Sequence, residues 1–372
     1  MVNFSAVFLS FELIPKFTGT LSMIGSVLVA RHIITKKKWG DVSLTNKILF
    51  GISIVDIICT FFTCFLSTWM VPRGASASSK YDTSIKHHAL LAAGTTGTCS
   101  AQGFFAVFSM SYFATAYTAL AVLYWLIVQH GWTKNQMEQR KISFNFLLPP
   151  IFVALCFAVP PLFFGMYNEY WGFKCFLNWY PDDCDESNIE CIRGSVKAVN
   201  VAQNMLYGYM LLGNIVVISF ICLLVWAVYK QEKKLDSYLS KGQVKNRKNT
   251  QSTAWQGVRF SAAYLVPYLM FYIIFFYDIF AYDKVVSTTG EMLMIYYLVI
   301  MMPLLGAFNA SVYFYPRYTT YRKQNAEKSR MACLCDVLGI GWCHRDRNSH
   351  ELVEETTTST PLISEEDIQT LL

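Results

Sequence analysis

The chain has 372 residues, of which 54% are hydrophobic, 16% aromatic and 15% charged, and its formal net charge is +6. An ordinary globular protein is about 25% charged, so this composition excludes a conventional water-soluble fold. The apolar residues gather in blocks of the length that crosses a ~30 Å hydrocarbon layer as a helix of roughly 20 residues.

Seven blocks follow in chain order, at about 17–34, 48–71, 98–128, 142–166, 203–229, 258–281 and 291–315. Backbone groups in lipid must be satisfied within a helix or a closed barrel, and these runs are too continuously apolar for the alternating strands of a barrel. The expectation is an all-α integral membrane protein, a seven-transmembrane helix bundle. Residues 1–16 form a short extracellular N-terminus, although Glu12, Pro15 and Lys16 blur its boundary with the first span. Residues 17–315 form the bundle, 316–330 an amphipathic helix on the membrane surface, and 331–372 a largely disordered tail.

The loops after spans one, three and five, together with the start of the tail as far as Lys323, hold seventeen Lys and Arg against seven in the alternate loops. The positive-inside rule then puts the N-terminus outside and the C-terminus in the cytoplasm. The net positive charge faces anionic lipid and is no signature of nucleic-acid binding. Asn309-Ala310-Ser311 is a formal glycosylation sequon on the wrong side of the membrane, which leaves Asn3, in Asn3-Phe4-Ser5, as the glycosylation candidate.

This orientation sorts the cysteines. Cys99, Cys175, Cys184 and Cys191 face an oxidising compartment. They allow three pairings; Cys99–Cys175 with Cys184–Cys191 is favoured because the first bridge would tie the long loop between spans four and five over the bundle. Cys59, Cys64, Cys156 and Cys222 lie within spans as packing residues. Cys333, Cys335 and Cys343, near Lys328, Arg330 and Arg345, are palmitoylation candidates, a better match than zinc with His344 alone nearby.

Asp56 is the carboxylate deep within a span, with Ser53 one turn before it. A charge there costs a few kcal/mol on insertion scales and needs a partner inside the bundle; Asn309 is the expected one. Asn309 and Tyr313 share a helix face four residues apart, while Pro267, Pro303 and Gly306 permit bends in spans six and seven.

Several motifs carry a resemblance. Cys99-Ser-Ala-Gln102-Gly103-Phe104-Phe105 resembles the start of the third helix of cyclic-AMP-receptor-like and secretin-like G-protein-coupled receptors. Leu305-Gly306-Ala307-Phe308-Asn309-Ala-Ser-Val-Tyr313 resembles the end of their seventh helix, and also the Asn-Pro-x-x-Tyr element of rhodopsin-like receptors, with Ala310 for Pro. Asn46 ten residues before Asp56, and Gly25-Ser26-Val-Leu-Val29, are similar to second- and first-helix patterns of that group. The chain departs from it at Leu123-Tyr124-Trp125-Leu126, which has no arginine where an Asp-Arg-Tyr-like element is expected, and at Tyr264-Leu-Val-Pro267.

The resemblance implies an activation or ion network of Asp56, Ser53, Asn309, Tyr313 and Pro267, where a sodium ion or a proton biases the inactive state. It also implies a heterotrimeric G protein as partner, facing Arg140, Lys233, Lys234, Arg259 and Arg317. About sixteen residues before the first span leave no room for a binding domain, so the extracellular ligand belongs between the helices. Its candidate contacts are Trp69, Tyr112, Tyr207, Tyr272, Asp278, Glu291 and Tyr296. Asp182, Asp183, Asp185, Glu186 and Glu190 in the outer loop would favour a cation.

Other functions fit less well. A retinal protein needs a Schiff-base lysine in span seven, and 291–315 contain none. Every histidine lies at a span end or in a loop, so neither an enzyme, a metal nor a cofactor is expected. A multi-pass transporter or channel is the alternative. In the tail, residues 356–360 are phosphorylatable and Asp367, Leu371 and Leu372 resemble an acidic dileucine sorting signal, pointing to adaptor proteins and to a plasma-membrane protein that cycles through endosomes.

Overall fold

The computed structural model describes residues 4–36, 42–73, 76–79, 82–88, 91–130, 142–170, 174–181, 184, 190–235, 254–269, 273 and 296–339. Its helices are α1 (Phe4–Lys36), α2 (Leu44–Thr60), α3 (Thr96–His130), α4 (Ile142–Phe163), α5 (Val196–Leu235), α6 (residues 254–269), α7 (Leu305–Gln324) and α8 (Arg330–Leu338). Two hairpins accompany them: β1 (Ser76–Ser79) with β2 (Asp82–His88), and β3 (Tyr167–Tyr170) with β4 (Lys174–Leu177).

Among the described residues, six helical stretches are long and apolar enough to cross a membrane: Leu9–Thr35, Leu44–Phe65, Thr96–His130, Phe144–Phe163, Val196–Lys230 and Tyr296–Gln324. They match predicted spans one to five and seven. α6 opens the predicted sixth span, most of whose second half lies outside the described residues. With strands confined to two hairpins among the described residues, the architecture is that of a helical membrane protein and not of a barrel.

α3 is the enclosed centre, with 61% of its most apolar stretch buried, while α4 and α5 bury 22% of theirs. The outward faces of those two helices are apolar, as Phe152 (65% exposed), Phe163 (81%) and Leu212 (60%) show. Water would penalise that surface and hydrocarbon would not.

Three helix boundaries differ from the sequence reading. α1 is already helical at Phe4. Glu12 is only 2% exposed, and the Lys16 ammonium donates to the carbonyls of Leu66 (3.1 Å) and Phe65 (3.4 Å), so these polar residues sit inside the fold and do not end the helix. α2 stops at Thr60, giving way to a π-helical turn over Phe61–Phe65 and a 3₁₀ turn over Ser67–Met70; such irregularities leave carbonyls open to side-chain donors. α7 runs through Pro316, so 316–324 continue the span, and the surface helix expected over 316–330 is replaced by the separate α8. Proline removes one backbone donor without ending the helix here; separately, the Thr319 and Thr320 hydroxyls both donate to the Pro316 carbonyl at 2.9 Å.

α8 folds back on α7. Ser329 caps its start, accepting from the Ala332 amide at 3.2 Å, and Gly339 ends it at φ 68°. The Lys328 ammonium donates to the Tyr321 hydroxyl (2.9 Å) and the Asp336 carboxylate (3.0 Å), partners that hold it up at about 12.

Candidate functional site

Asp56 is 2% exposed at the meeting of α1, α2 and α7. Its Oδ2 accepts from Ser26 Oγ at 2.8 Å and Ser22 Oγ at 3.1 Å, and its Oδ1 from Thr60 Oγ1 at 3.3 Å. Ser22 Oγ also accepts the Gly306 amide at 2.7 Å, which joins α1 to the start of α7. The helices approach this closely because both contact points are glycines: a Cβ on Gly25 would lie 2.9 Å from the Gly306 carbonyl, and one on Gly306 would collide with Asp56 Oδ2 and Ser26 Oγ.

Ser53 and Asn309 are therefore not the partners of Asp56. The Ser53 hydroxyl donates to its own helix at Leu49 O (2.9 Å), as buried helical serines readily do. Asn309 is buried, but its Oδ1 accepts from the Tyr117 hydroxyl of α3 at 2.7 Å, and its Nδ2 has no acceptor among the described residues. The Tyr117 ring stacks on Tyr264 of α6 at 4.4 Å, and Tyr264 Oη accepts a 3.5 Å contact from Asn214 of α5. Two hydrogen bonds and one ring stack thus join α3, α5, α6 and α7. Tyr313 is buried on the same α7 face as Asn309, with the Arg317 guanidinium 4.1 Å over its ring.

A cavity of about 230 Å³ opens beside Asp56 and extends to the β3–β4 hairpin. Its lining comes from α2 and the turns after it (Thr60, Ser67), α3 (Phe113), α5 (Tyr207), α6 (Tyr268), the α7 segment (Met302) and the hairpin (Lys174). Ser67, at φ 39°, is a non-glycine residue in the left-handed region, a strained backbone held by its surroundings.

The Cys99–Cys175 disulfide anchors the hairpin to α3, and Cys184–Cys191 closes the loop beyond it, matching the favoured pairing. Gln102 is the second anchor. Its Nε2 donates to the carbonyls of Ser67 (2.8 Å) and Phe62 (3.3 Å), while its Oε1 accepts the Cys175 amide at 2.6 Å. Gly103 leaves the space that the Tyr167 ring fills, a Cβ there falling 2.5 Å from the ring, and Tyr167 Oη donates to Ala158 O of α4 at 2.7 Å. These contacts set Lys174 on the cavity wall. Burial pushes its ammonium down to about 8.

Of the predicted ligand contacts, Tyr207 lines the cavity. Tyr112 is 5% exposed and stacks on Phe108, Trp69 packs under the Lys16 ammonium at 4.3 Å, and Tyr296 packs at a tilt against Phe11 at 4.5 Å; none of these three lines the cavity. Tyr272, Asp278 and Glu291 lie outside the described residues, as do Asp182, Asp183, Asp185, Glu186, Arg140, Asn3, Cys343, Asp367, Leu371 and Leu372. The sequence reading missed Lys174, Phe113 and Tyr268, whose signal would have been the disulfide placing residue 174 over the bundle.

At the tail end, Lys233 is exposed and Arg259 of α6 stacks over Tyr315 of α7 at 4.8 Å. Lys234 belongs to the last turn of α5. Cys335 is 7% exposed on α8, and Cys333 is a free thiol at 0% exposure, enclosed between α7 and α8.

Comparison with protein-family models and with curated proteins matches this chain to none of them.

Proposed function

We propose that the chain is a seven-helix receptor of the plasma membrane, its N-terminus outside, which passes a signal from a small ligand in the hairpin-end cavity to a cytoplasmic heterotrimeric G protein. The observation that carries the reading is the continuity between cavity and helix contacts. The cavity touches Asp56, whose carboxylate is wired through Ser22 to the first turn of α7, and Tyr268, one turn from the Tyr264 that stacks on Tyr117.

A ligand that bound better when α6 or α7 shifted would bias these contacts, which is the thermodynamic requirement for signalling. Pro267 in α6 and the 3₁₀ turn at Met302–Leu304 before α7 are the flexible points. At the other end of the bundle, Arg259 and Arg317 stack on tyrosines of α7, so the same movement would alter the surface offered to the G protein. The basic loops support the orientation through the positive-inside rule.

The test is guanine-nucleotide exchange in membranes holding this chain and a panel of G proteins, with protease accessibility of tags at both termini on intact cells. Ligand-dependent exchange with an outer N-terminus and an inner C-terminus supports the receptor. Solute flux into proteoliposomes without exchange would favour the transporter instead.

A further inference from the structure

Beyond Thr60 the second span loses the regular hydrogen-bond ladder of a helix. In the π-helical turn over Phe61–Phe65 the Leu66 amide reaches back to Phe61 O at 2.9 Å. In the 3₁₀ turn that follows, the Trp69 and Val71 amides reach only to Leu66 O (2.9 Å) and Thr68 O (3.1 Å). Phe62 O, Phe65 O and Ser67 O are thereby deprived of the amides that an α-helix would give them.

Side chains of two other helices take the place of those amides. Gln102 Nε2 of α3 donates to Ser67 O at 2.8 Å and Phe62 O at 3.3 Å. The Lys16 ammonium of α1 donates to Phe65 O at 3.4 Å and Leu66 O at 3.1 Å, and lies 4.3 Å over the Trp69 ring. The segment they hold is also a wall of the cavity, which Thr63, Cys64 and Ser67 line. α1 backs that wall closely, since a Cβ on Gly19 would stand 2.6 Å from Cys64 Cβ. With Ser67 strained at φ 39°, the segment depends on its neighbours for its shape. Amides of the same segment could bond the three carbonyls again if those donors withdrew, so a second arrangement lies close in structure.

We propose that Lys16 and Gln102 latch a two-state end of α2. Latched, residues 61–70 form the cavity wall; released, they move away from α1 and α3 while the regular part of α2 stays in place, and the cavity opens at Cys64. Both side chains are positioning residues. The latch rests on these contacts and not on the receptor reading, and its test needs neither G protein nor ligand.

Native cysteines report the position of the segment. Cys64 belongs to the π-helical turn, Cys59 borders the same cavity from the regular part of α2 at 3% exposure, and Cys156 and Cys222 are exposed on α4 and α5. The purified full chain in detergent is treated with N-ethylmaleimide and modification of each cysteine is timed by peptide mass spectrometry. Lys16→Met should speed Cys64 about tenfold or more through the lost charge-assisted bonds, and leave the other three within about twofold. Lys16→Arg, which keeps the donors and the ring contact, should stay within about threefold of wild type. In Lys16→Ala, n-propylammonium replaces the atoms removed and should slow Cys64 again, whereas n-propanol should not. In the wild-type chain, amide hydrogen exchange over residues 61–70 should run about tenfold or more ahead of residues 48–59, and this comparison decides the matter if a variant cannot be isolated. An unchanged Cys64 rate in Lys16→Met, an equal rise at Cys59, equal rescue by n-propanol, or uniform exchange along α2 and its turns would each overturn the latch.

Discussion

Replacing Gly306 with alanine puts one methyl group into the junction of α1, α2 and α7. The added carbon would collide with Asp56 Oδ2 and Ser26 Oγ, and would sit 2.7 Å from the Ser22 carbonyl. Two of these neighbours are short buried side chains and the third is helix backbone, so no flexible chain end can swing away. Overpacking a closed site costs about 1–3 kcal/mol. Relief by separating α1 from α7 would lose at least one hydrogen bond to the carboxylate, a further ~1.5–3 kcal/mol. The expected destabilisation is therefore about 2.5–6 kcal/mol, a drop of several degrees in the unfolding midpoint of the purified protein. Gly208→Ala is the matched control, because nothing lies within 4 Å of a Cβ there; its effect should stay within about 1 kcal/mol, the scale of helix propensity alone. If Gly306→Ala unfolded at the wild-type temperature, the close packing of α1 on α7 around Asp56 would be refuted.

Three further changes probe other contacts. Asp56→Asn keeps the shape of the junction but replaces the carboxyl oxygens that accept from Ser22, Ser26 and Thr60; altered basal nucleotide exchange, with surface expression largely intact, is expected from exchange assays and cell-surface labelling. Gln102→Leu removes two donors and an acceptor that tie the α2 turns to β4, so destabilisation of about 2–3 kcal/mol and faster proteolysis of the β3–β4 segment should follow in timed digests. Leu371→Ala combined with Leu372→Ala should raise surface abundance, read as the surface-to-internal ratio in cells, and an unchanged ratio would remove the sorting signal.

Much of the scaffold was legible in the residues because lipid imposes a simple rule. A helix crossing hydrocarbon must be long and apolar, and predicted spans one to five and seven overlie apolar helices among the described residues. The Cys99–Cys175 bridge was equally accessible, since few cysteines shared a compartment. Polar residues defeated the same rule at helix ends. Glu12 and Lys16 read as a boundary, yet α1 continues around them because open carbonyls after α2 receive the lysine. The surface helix read from residue 316 onward failed likewise, because α7 continues through Pro316, which costs it one backbone donor and not the helix.

Composition and hydropathy alone determined that this chain is built from apolar helices with a buried carboxylate on the second, because those properties depend on each residue's affinity for water. Only the tertiary structure decided which hydroxyls reach Asp56, that Asn309 answers to Tyr117, and that Lys174 lines the cavity. Partner choice depends on how closely helices approach and how a tethered hairpin lies across them. Those distances arise from glycines and a disulfide far apart in the chain, and no local pattern of residues encodes them.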